Sequence, residues 1–213
     1  MRIGILGGNL RALSSAHATL DSQPHAEVHI IEEAAEIGLT GEEPGILSLW
    51  PIVPAHWISE LGTQEPKPSS RAVRRSWLEK AMATSLATRG CTFHLRTRVV
   101  DVSQEYEVTY VGAGVMGSGK TLFDTVLDMR PPDHSGEEWE GGVCARLHTP
   151  PYGIQGERPD GTIEVWWRDQ NPDQGKWVHR MRWVGEDPAS SLEAEIKAGI
   201  KTAKRLIDTI IQP

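Results

Sequence analysis

The chain has 213 residues, with 22 basic and 29 acidic side chains, a formal net charge of −7 and an isoelectric point near 5.6. This balance disfavours nucleic acid and anionic membranes as partners, because both require a basic surface. The length suffices for one substantial core or for one domain with a small appendage. No apolar run approaches the roughly 20 residues that span a bilayer.

The first predicted element is an apolar strand over residues 3–6, and it runs into the glycine turn Gly7-Gly8. Gly7 can adopt the backbone angles that a sharp reversal from strand to helix demands. The helix that begins near Leu10 would direct its free amides and the positive end of its dipole at a pyrophosphate. Asn9 occupies the place of the second glycine of a dinucleotide-binding turn, where a side chain crowds the phosphate.

A second predicted strand, residues 28–31, ends at Glu32. Glu32 follows Ala12, the last residue of the turn, by 20 positions, which is the spacing of a dinucleotide-binding βαβ unit. At that place a carboxylate accepts hydrogen bonds from an adenosine ribose, and its charge opposes a ribose phosphate. The unit therefore favours FAD or NAD over NADP, and a crossover that binds nothing is the alternative.

Residues 33–69 are rich in Gly, Pro and acids, which predicts a long excursion with little regular structure. A helix is predicted over 70–89, with Ser69 or Ser70 as its cap and Gly90 as its stop. The basic cluster at its start is predicted to form a solvated face; it comprises Arg71, Arg74 and Arg75.

Extended structure is predicted next, with 91–95 and 98–102 as one stretch, followed by strands at 107–111 and 121–127. Between 131 and 161 Pro and Gly are frequent and periodicity is poor. Strands at 162–168 and 176–184 are predicted to form a hairpin across 171–175. The last element, 191–211, is predicted to be a strongly amphipathic helix.

A competing motif spans residues 114–121 and matches the phosphate-binding loop of ATPases and GTPases. Such a loop must open a helix whose amides receive the phosphates. Residues 122–128 are instead rich in strand formers, and Pro131 follows shortly after them. We therefore predict a hairpin connection at this place and keep a nucleoside triphosphate site as an alternative.

Catalytic and metal-binding side chains are scarce. The two cysteines, Cys91 and Cys144, match no metal spacing and are expected to be reduced thiols, and the eight histidines show no metal-ligand pattern. His56 is the most plausible proton carrier, while His148 and His179 have a similar standing. No catalytic residue is assigned and no metal is expected.

The order of these motifs resembles the FAD-binding domain of the two-dinucleotide-fold flavoproteins, the group that includes amine oxidases, flavin monooxygenases and geranylgeranyl reductases. The matching segments are the turn at 5–16, the strand at 28–32, residues 36–38, the helix at 70–89, the strands at 97–102 and 124–128, and residues 182–187 with the helix that follows and contains Gly199. One departure is Leu39, which stands where that family often has a glycine.

The resemblance implies FAD as the cofactor. In that family an acid of the closing motif holds the ribityl or pyrophosphate region of the cofactor, the helix that follows points its N-terminus at the flavin, and a strand offers backbone groups to the adenine. Carried over position by position, the implied cofactor contacts are Gly7, Gly8, Asn9, Leu10, Arg11, Glu32, Glu33, Val99, Val100, Gly185, Glu186 and Asp187.

The predicted fold class is α/β, with a Rossmann-like parallel sheet, crossover helices and a small antiparallel β appendage. Residues 1–130 are predicted to form the first part of an FAD-binding domain, 131–182 a reduced β substrate or cap region, and 183–213 the closing motif and C-terminal helix. Only 56 residues separate Asp128 from Gly185, where the family carries a larger substrate domain. A second protomer, a partner subunit or the predicted hairpin that carries Trp166 and Trp167 is therefore expected to cover the flavin, which otherwise stays exposed.

The predicted function is that of a small oxidoreductase that transfers a hydride between an organic small molecule and flavin. A cytoplasmic location is expected because the first strand starts at Arg2 and leaves no space for a signal peptide. Two alternatives stay open: a non-catalytic flavoprotein-like subunit or binding module, and a triphosphate-binding protein that uses residues 114–121.

Overall fold

A computed structural model describes residues 1–39, 43–113, 117–131, 136–169 and 176–211. Its contacts divide the chain into two compact units: residues 1–39, 79–131 and 195–213 form the first, and residues 40–78 and 132–194 form the second. The regular elements are β1 (Arg2–Leu6), α1 (Leu10–Ser22), β2 (Glu27–Ile31), α2 (Arg75–Thr88), β3 (Thr92–His94), β4 (Thr97–Val102), β5 (Glu107–Gly112), β6 (Gly119–Leu122), β7 (Thr125–Asp128), β8 (Glu137–Ala145), β9 (Ile154–Glu157), β10 (Thr162–Trp167), β11 (Trp177–Gly185) and α3 (Ser191–Ile211).

The first unit is built on a four-stranded parallel sheet with the order β3-β2-β1-β7. Its central strands carry apolar side chains that are fully buried, such as Ile3, Ile5 and Ile30. Burial on both faces is typical of parallel strands that are covered by crossover helices. The α/β class and the Rossmann-like parallel sheet predicted from the sequence are confirmed.

A three-stranded antiparallel sheet, β4-β5-β6, completes the first unit. Its buried side chains pack in one cluster with the ends of β1 and β2; the cluster contains Leu6, Ile31, Val108, Tyr110 and Phe123. The prediction of one extended stretch over 91–102 is wrong, because β3 and β4 lie in different sheets. Between them Arg96 has a positive φ of 52°, and its amide donates to the Ala34 carbonyl. The predicted strand 121–127 is likewise divided between β6 and β7.

Both long helices exist, but one begins later than predicted. α2 starts at Arg75 instead of residue 70, because the Arg71 and Ala72 amides donate to the Glu157 carbonyl and Ala72 forms a β-bridge with Ile46. The predicted solvated face at its start is wrong for Arg75, which is 2% exposed and forms an ion pair with Glu43. The predicted bounds of α3 are confirmed.

The second unit contains the antiparallel sheet β11-β8-β10-β9. The hairpin predicted between 162–168 and 176–184 is wrong, because β10 and β11 both pair with β8 and not with each other. Its predicted turn, 171–175, lies outside the described residues. The segment 33–69, predicted to have little regular structure, contains in its described residues only short 3-10 turns at Ala55–Trp57 and Ser59–Gln64 and the isolated bridge from Ile46 to Ala72.

Two glycines in β8 make space for tryptophan rings on the sheet. A Cβ atom on Gly141 would lie 2.6 Å from Cε3 of Trp166, and one on Gly142 would overlap the ring of Trp177. The Trp177 ring stacks on Trp167, with centroids 5.0 Å apart, and the Arg180 guanidinium lies over both rings. The large indole surfaces therefore pack directly on the strand backbone.

A buried carboxylate joins the segment before α2 to this sheet. Glu164 in β10 is 0% exposed, and its Oε2 accepts hydrogen bonds from Arg158 Nε at 2.9 Å and Nη2 at 2.6 Å. Its Oε1 accepts from Trp166 Nε1 at 2.7 Å and from the Gly45 amide at 2.8 Å. Each oxygen has two donors, so the charge is buried with its hydrogen-bonding capacity satisfied.

Candidate functional site

The glycine turn lies between β1 and α1, at the carboxyl edge of the parallel sheet. Gly7 has a φ of 103°, a left-handed angle that favours glycine, and its amide donates to the Ile31 carbonyl at 2.9 Å. A Cβ atom on Gly7 would lie 3.2 Å from the Arg130 amide nitrogen. The backbone after β7 thus approaches the turn closely, and only glycine fits there without strain.

Asn9 is the N-cap of α1 and has extended backbone angles, with φ −80° and ψ 175°. Its Oδ1 accepts a hydrogen bond from the Ala12 amide at 3.0 Å, and its Nδ2 donates to the Met129 carbonyl at 2.8 Å. Asn9 therefore satisfies one of the orphan amides of the helix and connects α1 to the end of β7. The Leu10 and Arg11 amides lie in the first turn, where a helix provides no acceptor of its own.

The first turn of α1 contains no acidic side chain. It contains Arg11 instead, a half-buried residue whose Nε is buried and has no hydrogen-bond partner in the part of the chain that the structure describes. A cation at a helix N-terminus is unfavourable, because the N-terminus carries a partial positive charge. This end of α1 is therefore electropositive and suited to an anion.

Glu32 stands directly beside the turn. A Cβ atom on Gly8 would lie 3.0 Å from Oε2 of Glu32 and would overlap the side chain of Ile37. Oε1 of Glu32 accepts from the Ala34 amide at 2.7 Å, while its backbone amide donates to the His94 carbonyl at 3.0 Å and its carbonyl accepts from Thr97. The acid is thus held next to the glycine turn, as the spacing predicts.

The adjacent end of β7 adds two charged residues that the sequence interpretation did not assign to the site. Arg130 donates from Nε to Oδ1 of Asp128 at 2.9 Å and from Nη2 to Oδ2 at 2.5 Å. The hydrogen bond from the Arg130 side chain lowers the pKa of Asp128. An acid followed two residues later by a base at the end of an apolar strand is the sequence signal for this pair.

The remaining predicted contacts of the first unit are Glu33, which is exposed, and the two valines of β4. Val99 packs partly against the cluster around Tyr110, whereas Val100 is 56% exposed. The pairing of β4 with β5 shifts between Val99 and Asp101, so Val100 is the extra residue of a β-bulge.

The last three predicted contacts belong to the second unit. Gly185 ends β11 opposite Glu137, and the Glu186 carbonyl accepts a hydrogen bond from Trp183 Nε1 at 3.0 Å. Oδ1 of Asp187 accepts from the Ala189 amide at 2.9 Å. The Asp187 carbonyl accepts from the amides of Ser190 and Ser191, at the start of α3. The structure thus brings the glycine turn and Glu32 together within one unit, and it places residues 185–187 in the other.

The histidines singled out from the sequence have diverse surroundings. His56 is exposed and lies edge-to-face with Trp57, with ring centroids 6.4 Å apart. His179 is exposed on β11, and His148 ends a 3-10 turn after β8. Among the residues that the structure describes, no group of three or more His, Cys, Asp or Glu side chains could hold a metal ion. Within the same ranges, no helix has both the length and the apolarity needed to cross a membrane.

The alternative of a nucleoside triphosphate site is wrong, because the described residues that follow the motif do not form the helix that such a loop must open. Lys120 and Thr121 lie in β6, which pairs antiparallel with β5, and no helix follows them before β7. Lys120 Nζ donates to Oε1 of Glu107 across the two strands at 2.7 Å, which raises the pKa of the lysine. Residues 114–116 of the motif lie outside the described residues.

We expect Lys120→Ala to leave both the urea midpoint and nucleotide binding unchanged, because this lysine forms an exposed cross-strand ion pair. Isothermal titration with Mg-ATP measures the binding, and Lys201→Ala on the exposed side of α3 is the matched control. Binding of ATP by the wild type that only Lys120→Ala abolishes would contradict this expectation.

The observed class is an α/β protein in which a glycine turn, a helix N-terminus and an acid meet at the carboxyl edge of a parallel sheet, the arrangement of dinucleotide-binding folds. Comparison with protein families gives no matching family model. Comparison with curated proteins gives no significant match.

Solved structures do match. A geranylgeranyl bacteriochlorophyll reductase-like protein from Thermoplasma acidophilum is similar with a TM-score of 0.68 and 10% identity over 98% of this chain and 78% of that one. Glycine oxidase from Bacillus cereus has a TM-score of 0.63 and 11% identity over 97% of both chains. Aklavinone-11 hydroxylase, solved with FAD and aklavinone, has a TM-score of 0.59 and 11% identity over 98% of this chain.

These likenesses show a shared fold at low identity. The chain spans 62% of the length of aklavinone-11 hydroxylase, and it spans 60% and 62% of two other matched proteins. The chain therefore shares its fold with these solved proteins, one of which was solved with FAD.

Proposed function

We propose that the protein binds FAD through the glycine turn and functions as a small flavin-linked oxidoreductase. The observation that carries the proposal is the electropositive first turn of α1 beside Glu32, on a fold that a solved FAD-containing hydroxylase shares. The Leu10 and Arg11 amides and the Arg11 guanidinium would receive the pyrophosphate. Glu32 would accept hydrogen bonds from the adenosine ribose.

Two observations test the fit of this cofactor. Gly7 and Gly8 leave the turn without side chains, and the buried Nε of Arg11 lacks a partner among the described residues, as expected of a group that awaits an anion. Asn9 reduces the donors available to the phosphates by one, because it already binds the Ala12 amide. Among the described residues, the Leu10 and Arg11 amides of the first turn and the Nε of Arg11 are therefore the donors proposed to receive the phosphates.

Val99, Val100 and residues 185–187 also have roles in the proposal. Val99 and Val100 would offer backbone groups to the adenine, and the bulge at Val100 supports this because it interrupts the ladder there. Residues 185–187 keep in the proposal the role that the resemblance implies, which is contact with the ribityl or pyrophosphate region of the cofactor. When bound, FAD would supply the redox chemistry by exchanging a hydride with an organic small molecule. A second protomer or a partner subunit is proposed to exclude water from it.

We expect the purified protein to take up FAD and absorb between about 350 and 500 nm, and Arg11→Met to weaken FAD binding about 10- to 100-fold. A hydrogen bond between charged groups contributes about 1.5–3 kcal/mol. Titration followed by flavin fluorescence measures the affinity. Arg205→Met, at an exposed position of α3, is the control that removes the same charge elsewhere. If the wild type takes up no FAD, the proposal fails; if Arg11→Met binds as tightly as the wild type, Arg11 has no part in the site.

A flavoprotein-like subunit without turnover is the second candidate, and the capping role of Asn9 favours it. A turn in which a side chain already accepts a hydrogen bond from one of the phosphate-binding amides binds the cofactor less tightly. This candidate predicts weak FAD binding and no reduction of an artificial electron acceptor by the isolated chain. Turnover by the isolated chain would exclude it.

A further inference from the structure

Two histidines share a proton at the edge of the parallel sheet. His29 in β2 is 5% exposed, and its Nδ1 lies 2.9 Å from Nε2 of His94 in β3, with the two rings nearly parallel at 4°. Two ring nitrogens at this distance form a hydrogen bond only if one donates and the other accepts. The contact therefore holds one proton, and it connects the β strands on either side of it.

A neighbouring carboxylate indicates whether the other ring nitrogen of His29, Nε2, carries a proton. Nε2 of His29 lies 2.9 Å from Oε1 of Glu27 and 3.4 Å from Nε of Arg2. The shorter contact is with a carboxylate, which when ionised only accepts, so we assign a proton to this nitrogen. Arg2 Nε lies 3.3 Å from the same oxygen and so donates to Glu27 as well. The hydrogen bond from His29 lowers the pKa of Glu27, which keeps the carboxylate charged.

The first and the second proton added to the pair affect the hydrogen bond between His29 and His94 differently. One added proton leaves the contact intact, because a cationic imidazole still donates a hydrogen bond to a neutral one. A second proton makes both facing nitrogens donors, which breaks the hydrogen bond and sets two cations side by side. The charged and titratable groups around the pair are Arg2 from β1, Glu27 on the same strand as His29, and Asp124, whose Oδ2 accepts from the Arg2 amide at 2.6 Å; Phe123 covers the His29 ring at its edge.

His94 also positions the candidate site. Its carbonyl accepts the hydrogen bond from the Glu32 amide at 3.0 Å, and the Glu32 carbonyl accepts from the Thr97 amide at 2.9 Å. The end of β3 therefore holds the backbone of the acid that stands beside the glycine turn.

We propose that the His29–His94 pair makes the nucleotide site acid-sensitive: uptake of a second proton separates β3 from β2 at Glu32 and weakens adenine dinucleotide binding. The effect on binding rests on the proposed FAD site, whereas the effect on the sheet does not.

The sign of the pH effect follows from the direction of one shift. Burial, followed by the charges of His29 and Arg2, lowers the pKa of His94 in the folded protein. The unfolded chain then binds this proton more readily, so the folded state loses stability as the pH falls below the ordinary imidazole pKa of about 6.5. Above that pH the stability is fully present.

Hydrogen exchange tests the effect on the sheet without any ligand. We expect protection of the Glu32 and Thr97 amides, corrected for intrinsic exchange rates, to fall about fivefold or more between about pH 7.5 and about pH 5.5 in the wild type. His94→Gln keeps a donor toward His29 but does not titrate, and it should abolish the fall. His25→Gln, at an exposed histidine, should keep it. Should His94→Gln fail to fold, His29→Gln takes its place.

FAD titration at the same two pH values tests the effect on binding, with an expected loss of about fivefold or more in affinity that His94→Gln removes. Equal protection of Glu32 at both pH values in the wild type, or an unchanged fall in His94→Gln, would overturn the proposal. Absence of FAD binding at both pH values would instead overturn the proposed function, and the exchange result would still decide whether the pair responds to acid.

Discussion

Glu164→Ala is expected to lower the free energy of unfolding by about 3–5 kcal/mol, the cost of removing one partner from a buried ion pair. The carboxylate is fully buried and accepts hydrogen bonds from Arg158, Trp166 and Gly45. Its removal leaves the Arg158 guanidinium, whose side chain is only 9% exposed, without a counter-charge. Urea unfolding followed by tryptophan fluorescence measures the loss.

Glu140→Ala is the matched control on the same sheet. Glu140 pairs with Arg180, but their side chains are 51% and 46% exposed, so we expect a loss of at most about 1 kcal/mol. Joint replacement of Glu164 by leucine and Arg158 by methionine should recover part of the lost stability, because no charge is then left buried, although Trp166 Nε1 and the Gly45 amide still lack their acceptor. A loss for Glu164→Ala no larger than that for Glu140→Ala would contradict the role we assign to this carboxylate.

Gly199→Val is expected to destabilise the protein by about 1–3 kcal/mol, the usual cost of adding volume to a close contact. A Cβ atom on Gly199 in α3 would overlap the Arg11 carbonyl oxygen of α1 and lie 3.0 Å from Cβ of Ser14. The obstacle is helix backbone, which cannot rotate away. Valine and glycine differ by only a few tenths of a kcal/mol in helix propensity, so the contact dominates the result.

The same change should disturb the candidate site, because Arg11 lies in the first turn of α1. We therefore expect Gly199→Val to weaken FAD binding as well as to lower the urea midpoint. Lys201→Val, at an exposed position two residues further along α3, controls for the valine and should cost only a few tenths of a kcal/mol. A stability equal to that of the control would show that α1 and α3 do not require a glycine at their crossing.

Elements whose signals are local were predictable. The βαβ unit carries its pattern within 32 residues: an apolar strand, a glycine turn, a helix and an acid at a fixed distance. The bounds of α3 were predictable for the same reason, since its buried residues recur at helical spacing. The position of Glu32 beside the turn was predictable because a βαβ unit sets its two strands side by side, and adjacent parallel strands end at the same edge.

Elements whose partners are distant in the chain were not predictable. β8 was missed because its two glycines and its irregular pattern indicate a loop. In the structure the same glycines make space on the strand for the rings of Trp166 and Trp177. That omission led directly to the wrong hairpin, because β8 separates β10 from β11. The late start of α2 has a similar origin, because the amides of residues 71 and 72 donate hydrogen bonds to the Glu157 carbonyl, which lies far along the chain.

The sequence by itself therefore determined the class of fold, the glycine turn and the acid beside it, because the backbone angles, helical spacings and strand periodicities involved are set by neighbouring residues. Only the tertiary structure decided which strands pair outside the βαβ unit, that the Asn9 side chain donates to Met129, and which charged side chains, such as Arg75 and Glu164, are buried. Those outcomes depend on donors and acceptors that lie far apart in sequence, and folding alone brings them within hydrogen-bonding distance.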